Sequence, residues 1–225
     1  PSPRGVVIMI PFPSPKQADF GDSDGDGRSE DFRLKQDRIT AVRAYIDETL
    51  ARWNAAGFKN LRLAGFYWMQ ESFNDDEAEV LRQASAYAHE KGFKMFWIPY
   101  YFGNPGTPQW QKKGFDCAAQ QPNYFFPRWQ AEKTRVATTA RMARRFGMGM
   151  EMEFDESLMS SDEQYAKYIK YLDTGVEEKY MTGSYVAWYQ GSRTLLSLAR
   201  SADPHLRRLY DLTYDFVKGT YAYSK

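Results

Sequence analysis

The sequence predicts an α/β fold of the (β/α)8 TIM-barrel kind, on three observations. Short apolar strands alternate with helical stretches along the whole chain, in six βα units. Polar and aromatic residues gather at the C-terminal ends of those strands, the rim where such barrels place an active site. No GxGxxG turn follows any strand, which counts against a dinucleotide-binding sheet.

In order, residues 6–12 (VVIMIPF) form a continuous apolar run, expected as a strand buried on both faces. A polar loop over residues 14–31 carries DSDGDGRSED. Ile39, Val42, Ile46, Leu50 and Trp53 then recur at helical spacing, and Gly57 closes that helix. Residues 61–69 (LRLAGFYWM) read as the second strand, 75–91 as a helix ended by Gly92, and 95–101 (MFWIPYY) as the third strand. Residues 115–124 (FDCAAQQPNY) make a fourth strand with a polar end, followed by a helix over 129–146. The stretch GMGMEMEFDES, residues 147–157, is the fifth. A helix over 162–179, a sixth strand over 185–190 (YVAWYQ) and helices over 194–200 and 203–218 complete the chain.

A closed barrel has eight strands. With six, either the first two lie outside this chain or two strands escape the pattern; taken as missing, they leave a barrel incomplete at its N-terminus, with strands three to eight present, forming one domain over residues 1–225. The chain starts almost at a strand and reads as a mature form or an excised piece.

Composition narrows the function by exclusion. Thirty basic and twenty-nine acidic residues leave a formal charge of +1, without a basic block for nucleic acid or an anionic membrane surface. The apolar runs are too short to span a membrane, and no signal peptide is present. The single cysteine, Cys117, excludes an internal disulfide framework and a cysteine-built metal site. His89 and His205 fall on expected helices away from the rim, and no serine sits in a GxSxG turn, so neither a histidine triad nor a zinc site is supported. Aromatic residues make up 16% of the chain, more than a core alone needs, and aromatic faces stack on sugars.

Chemistry concentrates in the fifth strand. Side chains alternate along a strand, so Met148, Met150, Met152 and Phe154 point one way while Glu151, Glu153 and Asp155 point the other. Burying carboxylates is costly unless something uses or pairs them. An exposed edge strand would alternate in the same way; a carboxylate cluster lining a cleft is the alternative. Glycoside hydrolysis requires two carboxyl groups, about 5–5.5 Å apart for retention and about 6.5–9.5 Å for inversion. Glu71 at the end of the second strand is the candidate acid/base. Glu153 is the candidate nucleophile, with Glu151 one layer deeper and Asp155 at the loop. Tyr67, Trp97, Tyr100, Tyr124 and Trp188 are candidate sugar contacts, and Gln70, Asn123, Asp155 and Gln190 candidate hydrogen-bond partners for hydroxyls. About half of the aromatic residues are expected only to pack.

The loop DSDGDGRSED spaces Asp22, Asp24 and Asp26 at alternate positions before Gly27, with Glu30 beyond, so their oxygens could converge on calcium. The twelfth position is Arg33 where an EF-hand needs a bidentate Glu, so the expectation is a looser structural calcium loop, with a solvated acidic loop as the plainer reading. No other cofactor is required.

The segments GFYWMQES, WIPYY, GFDCAAQQPNYFF, GMGMEMEFDE, AWYQG and RRLYDLTYDFVKGTY together resemble a bacterial family, domain of unknown function 4855, placed among glycosidase-like barrels. The resemblance covers nearly the whole chain and implies a carbohydrate setting outside the cytoplasm, extracellular or periplasmic. In the large clan of retaining glycosidases on this barrel, the acid/base glutamate ends strand four and the nucleophile ends strand seven. Counted as strands three to eight, the chain places Glu71 and the acidic strand there. Many of the clan have Asn before the acid/base, and here Gln70 precedes Glu71. The expected activity is a retaining glycoside hydrolase acting on a polysaccharide or glycan. The alternative is a non-catalytic carbohydrate-binding or structural barrel domain of a secreted protein.

Overall fold

The structure, a computed structural model, describes residues 2–72, 74–102 and 107–223. Six strands, β1 (Arg4–Ile10), β2 (Leu61–Trp68), β3 (Lys94–Trp97), β4 (Cys117–Gln120), β5 (Gly149–Phe154) and β6 (Val186–Gln190), are all parallel and hydrogen-bonded in chain order. Parallel neighbours require crossovers. Helices α1 (Lys35–Ala56), α2 (Asp75–Glu90), α3 (Arg135–Arg145) and α4 (Asp162–Glu177) lie between strands, the last followed by the single turn α5 (Tyr180–Gly183). Helices α6 (Thr194–Ala199) and α7 (Pro204–Lys218) follow β6. The fold is therefore α/β with a six-stranded parallel sheet. Among the described residues, no helix is long and apolar enough to cross a membrane.

Residue contacts group the chain into two compact units. The first runs to Pro99 and includes the segment ending at Ala118; the second holds Tyr100–Phe102 and everything from Ala119 on. In the first unit, Ile46, Phe66, Trp68, Leu81, Met95 and Trp97 form the buried core. Helix α2 starts on a capping box in which the Asn74 side chain accepts from the Glu77 backbone and the Glu77 side chain accepts from that of Asn74. In the second unit Met152, Phe154, Tyr168, Tyr171, Leu172 and Phe216 are fully buried. Ser161 caps α4, and Asp203 with Pro204 opens α7.

Three expected strands differ from those found, each for a visible reason. The run at residues 6–12 was expected to be buried on both faces, yet Val7 is 39% and Met9 44% exposed. β1 pairs with β2 alone and is an edge of the sheet. The third strand stops at Trp97 and the fourth at Gln120. Beyond them the backbone is held by side-chain amides instead of ladder bonds: Gln120 Nε2 donates to the Tyr100 carbonyl at 3.0 Å, and the Tyr101 N–H donates to Asn123 Oδ1 at 2.6 Å.

Candidate active site

Every residue of β5 is buried. Gly149 begins the strand because a Cβ there would meet the Tyr185 carbonyl oxygen at 2.1 Å, so only glycine lets the neighbouring backbone approach this closely. Alternation then puts Glu151 and Glu153, 6% and 2% exposed, on one face and Met150, Met152 and Phe154 on the other.

Glu153 is held by three donors. The Tyr171 hydroxyl from α4 and the Tyr124 N–H, the latter at 3.2 Å, both donate to Oε2, and Asn123 Nδ2 donates to Oε1 at 3.4 Å. Burial pushes the Glu153 carboxyl above its usual value near 4.5, and these hydrogen bonds pull the other way. Burial lifts the Tyr171 phenol well above its ordinary range, with the Glu153 charge adding to the effect, so Tyr171 is a fixed donor.

The loop after β4 delivers two of the three donors. Asn123 adopts a left-handed φ of 49°, a conformation that Asn tolerates better than most residues. Its Nδ2 also donates to Gln121 Oε1 at 2.9 Å. Arg135 braces the same region, its guanidinium 4.0 Å from the Tyr101 ring centroid and donating to the Pro122 carbonyl. The Tyr124 ring packs edge-on against Tyr171 and borders a cavity of about 880 Å³ lined also by Gln130, Thr134, Lys133, Lys167 and Lys170.

The register across β5 and β6 assigns the remaining aromatics. Glu151 is paired with Ala187 and Glu153 with Tyr189, so Tyr189 shares the carboxylate face. Trp188 takes the other face and is half-buried near Phe154 and Phe216. Tyr189 is 50% exposed, edge-on to Phe126. Tyr100 lies beside Phe102 and Trp129. Asp155 caps the 3₁₀ turn Glu156–Met159 by accepting from the Ser157 N–H, and Gln190 Oε1 accepts from the Leu195 N–H at the start of α6. Sequence reasoning missed Tyr171 and did not include Tyr189 among the candidate sugar contacts. The period-two pattern of YVAWYQ carried the signal for Tyr189; nothing in the helical sequence marks Tyr171 as a carboxylate partner.

In the first unit, Gln70 and Glu71 follow β2, Glu71 exposed and Gln70 half-buried. Trp97 is 1% exposed, stacks on Phe115 at 5.0 Å, and donates through Nε1 to the Gln70 carbonyl at 2.9 Å. It positions the segment leading to Glu71 from within the core. Tyr67 is half-buried on β2. In the acidic loop, carboxylate oxygens of Asp22, Asp24 and Glu30 lie within 4.8 Å of one another. Asp26 is not in that group, and its Oδ1 accepts from the Arg28 N–H.

The sequence profile of the family called domain of unknown function 4855 matches residues 1–215. The chain belongs to this family. Among curated proteins, none matches this family member. Among solved structures, it is similar to TsXylA, an intracellular xylanase from Thermoanaerobacterium saccharolyticum JW/SL-YS485, with a TM-score of 0.42 and 14% identity, covering 70% of this chain and 56% of that one. A mutant of that xylanase in complex with xylotriose matches with a TM-score of 0.41 and 14% identity over 73% of this chain and 57% of that one. A second mutant, with xylotetraose, gives 0.42 and 14% over 70% and 56%. The family member thus spans little more than half the length of these xylanase chains.

Proposed function

We propose that this chain is the C-terminal six-strand part, strands three to eight, of a (β/α)8 barrel that hydrolyses glycosides with retention, with Glu153 as nucleophile and Glu71 as acid/base. The observation that carries the proposal is Glu153 itself, a carboxylate at the C-terminal end of a buried strand, oriented by three donors, with the exposed ring of Tyr189 on its face. Oriented donors stabilise the ionised form that attacks, while burial keeps water from competing with the sugar. In the first step the Glu153 oxygen forms a bond to the anomeric carbon as the glycosidic C–O bond breaks, and Glu71 gives its proton to the leaving oxygen. In the second, water attacks the same carbon and returns a proton to Glu71, freeing Glu153. Tyr189, Phe126 and Tyr100 supply stacking faces for sugar rings.

A panel of aryl glycosides and neutral polysaccharides, assayed with wild type, E153Q and E71Q, tests this. The expected result is turnover by wild type with net retention by NMR, and a loss of about 10³-fold or more in E153Q with sugar binding kept. Full activity in E153Q overturns the proposal. The alternative, a sugar-binding domain without turnover, draws support from the 2% exposure of Glu153 and the engagement of both its oxygens. Saturable sugar binding by wild type with no hydrolysis of any substrate decides for it.

A further inference from the structure

We infer that the glycan taken by this site carries a uronic acid next to the sugar that lies over Glu153, with its carboxylate held by Arg128. The inference rests on the site proposed above and names the class of substrate that site takes. It starts from a run of rings leading away from Glu153. Tyr189 shares the carboxylate face of β5, and its ring centroid lies 5.8 Å from that of Phe126. The Arg128 guanidinium is 5.4 Å from the Phe126 centroid and 5.1 Å from that of Trp129. Trp129 is in turn 6.3 Å from Tyr100 and 6.3 Å from Phe102. Rings alone select the apolar face of a sugar; a cation set among them selects charge as well.

The second observation is that Arg128 has no acid of its own. It is exposed, and among the described residues it forms neither an ion pair nor a side-chain hydrogen bond, only the two ring contacts. The segment from Tyr124 to Arg135 holds three cations against one acid, Glu132. Arg135 is already engaged, donating to the Pro122 carbonyl and covering the Tyr101 ring. Lys133, which borders the cavity beside Tyr124, likewise lacks an acidic partner among the described residues. The backbone fixes where Arg128 sits. Pro127 opens the 3₁₀ turn Pro127–Trp129, the Trp129 N–H donates to the Phe126 carbonyl at 3.1 Å, and Gln130 ends the turn at a left-handed φ of 44°. Stacking uses the face of the guanidinium and leaves its edge, a planar fork of N–H donors that matches a carboxylate bidentately. A uronic acid offers both parts, a ring for Phe126 or Trp129 and a planar carboxylate for the fork.

Calorimetric titration of wild type, R128A and R128K tests the assignment, with thermal melts to check that the variants fold. The probes are short oligogalacturonates, oligomannuronates and glucuronate-containing oligosaccharides, each beside its carboxyl-reduced neutral form, and a sulfated oligosaccharide. Expected is saturable binding of at least one uronate by wild type, about tenfold or more tighter than its reduced form. That preference should be lost in R128A and only partly restored in R128K, whose ammonium lacks the fork. Absence of saturable binding of every uronate, equal affinity for charged and reduced forms, a preference that survives in R128A, or a sulfated chain bound as tightly as the uronate overturns it. Hydrolysis of neutral glycans without uronate binding keeps the glycosidase reading and removes this inference; uronate binding that depends on Arg128, without hydrolysis of any glycan, does the reverse.

Discussion

Glu153 and Glu30 are both at least 95% buried, and among the described residues neither has an ion-pair partner, yet the protein treats them differently. Glu153 sits on a strand and receives three donors from two separate segments, the loop after β4 and helix α4. Glu30 sits in a loop and receives one, from its own neighbourhood. The difference separates two solutions to a buried negative charge. One spreads it over three fixed protein donors; the other rests it on a single N–H of the same loop.

If that contrast is right, removing the protein's own donors should harm the β5 site most. Asn123→Ala strips one donor from Glu153, leaves the Tyr101 N–H without its acceptor, and places alanine at φ 49°. The expected loss is about 3 kcal/mol in urea unfolding. Asn123→Gly relieves the backbone strain and should recover about 1 kcal/mol of it. Equal losses in the two variants would show that the left-handed backbone costs nothing. Tyr171→Phe, which keeps the packing on Tyr124 and removes one hydroxyl, should cost about 2 kcal/mol. A double-mutant cycle with Glu153→Gln should show coupling between the two; strict additivity would mean that the hydroxyl serves something other than the carboxylate.

The core of this arrangement could be read from sequence, and its partners could not. GMGMEMEFDES announces a strand with carboxylates on one face, and β5 is that strand. Local alternation is enough to say so, because the period is carried by adjacent residues. The expected strands run past the ends of β3 and β4 because WIPYY is apolar and aromatic enough to pass for strand and QQPNY reads as the polar end of one, whereas Pro99 and Pro122 lack an N–H and Asn123 turns left-handed. Tyr171 lies 18 positions beyond Glu153 on a helix whose other buried tyrosine, Tyr168, bonds Thr213 instead, so no local pattern distinguishes them. Glu30 was legible as a candidate ligand from the spacing of DSDGDGRSED, but its burial depends on the loop closing at Phe20 and Phe32.

The pH dependence of stability sharpens the contrast further. Burial raises the Glu153 carboxyl, so between its unfolded value near 4.5 and its raised native value the native state binds more protons than the unfolded one. Stability conferred below that window is therefore lost as pH rises through it, by at most about 1.4 kcal/mol per pH unit, and is level above it. Glu153→Gln removes this loss. Its stability relative to wild type should climb from about pH 4.5 upward and then plateau. A difference that is flat in pH would mean that the three donors fully offset the desolvation.

Glu30→Gln should have the smallest effect. Gln keeps an oxygen for the Ser23 N–H and takes away a charge that no lysine or arginine among the described residues pairs with. Two changes then oppose each other: the loss of a charge-assisted hydrogen bond, and the relief of burying the charge and of its repulsion with Asp22 and Asp24. The net is expected within about 0.5 kcal/mol of zero, with the sign toward stabilisation because three carboxylates lie within 4.8 Å. Chemical unfolding of both proteins gives the difference. A large loss for E30Q would mean that the loop compensates Glu30 internally, as the surroundings of β5 compensate Glu153, and the contrast between the two sites would then disappear.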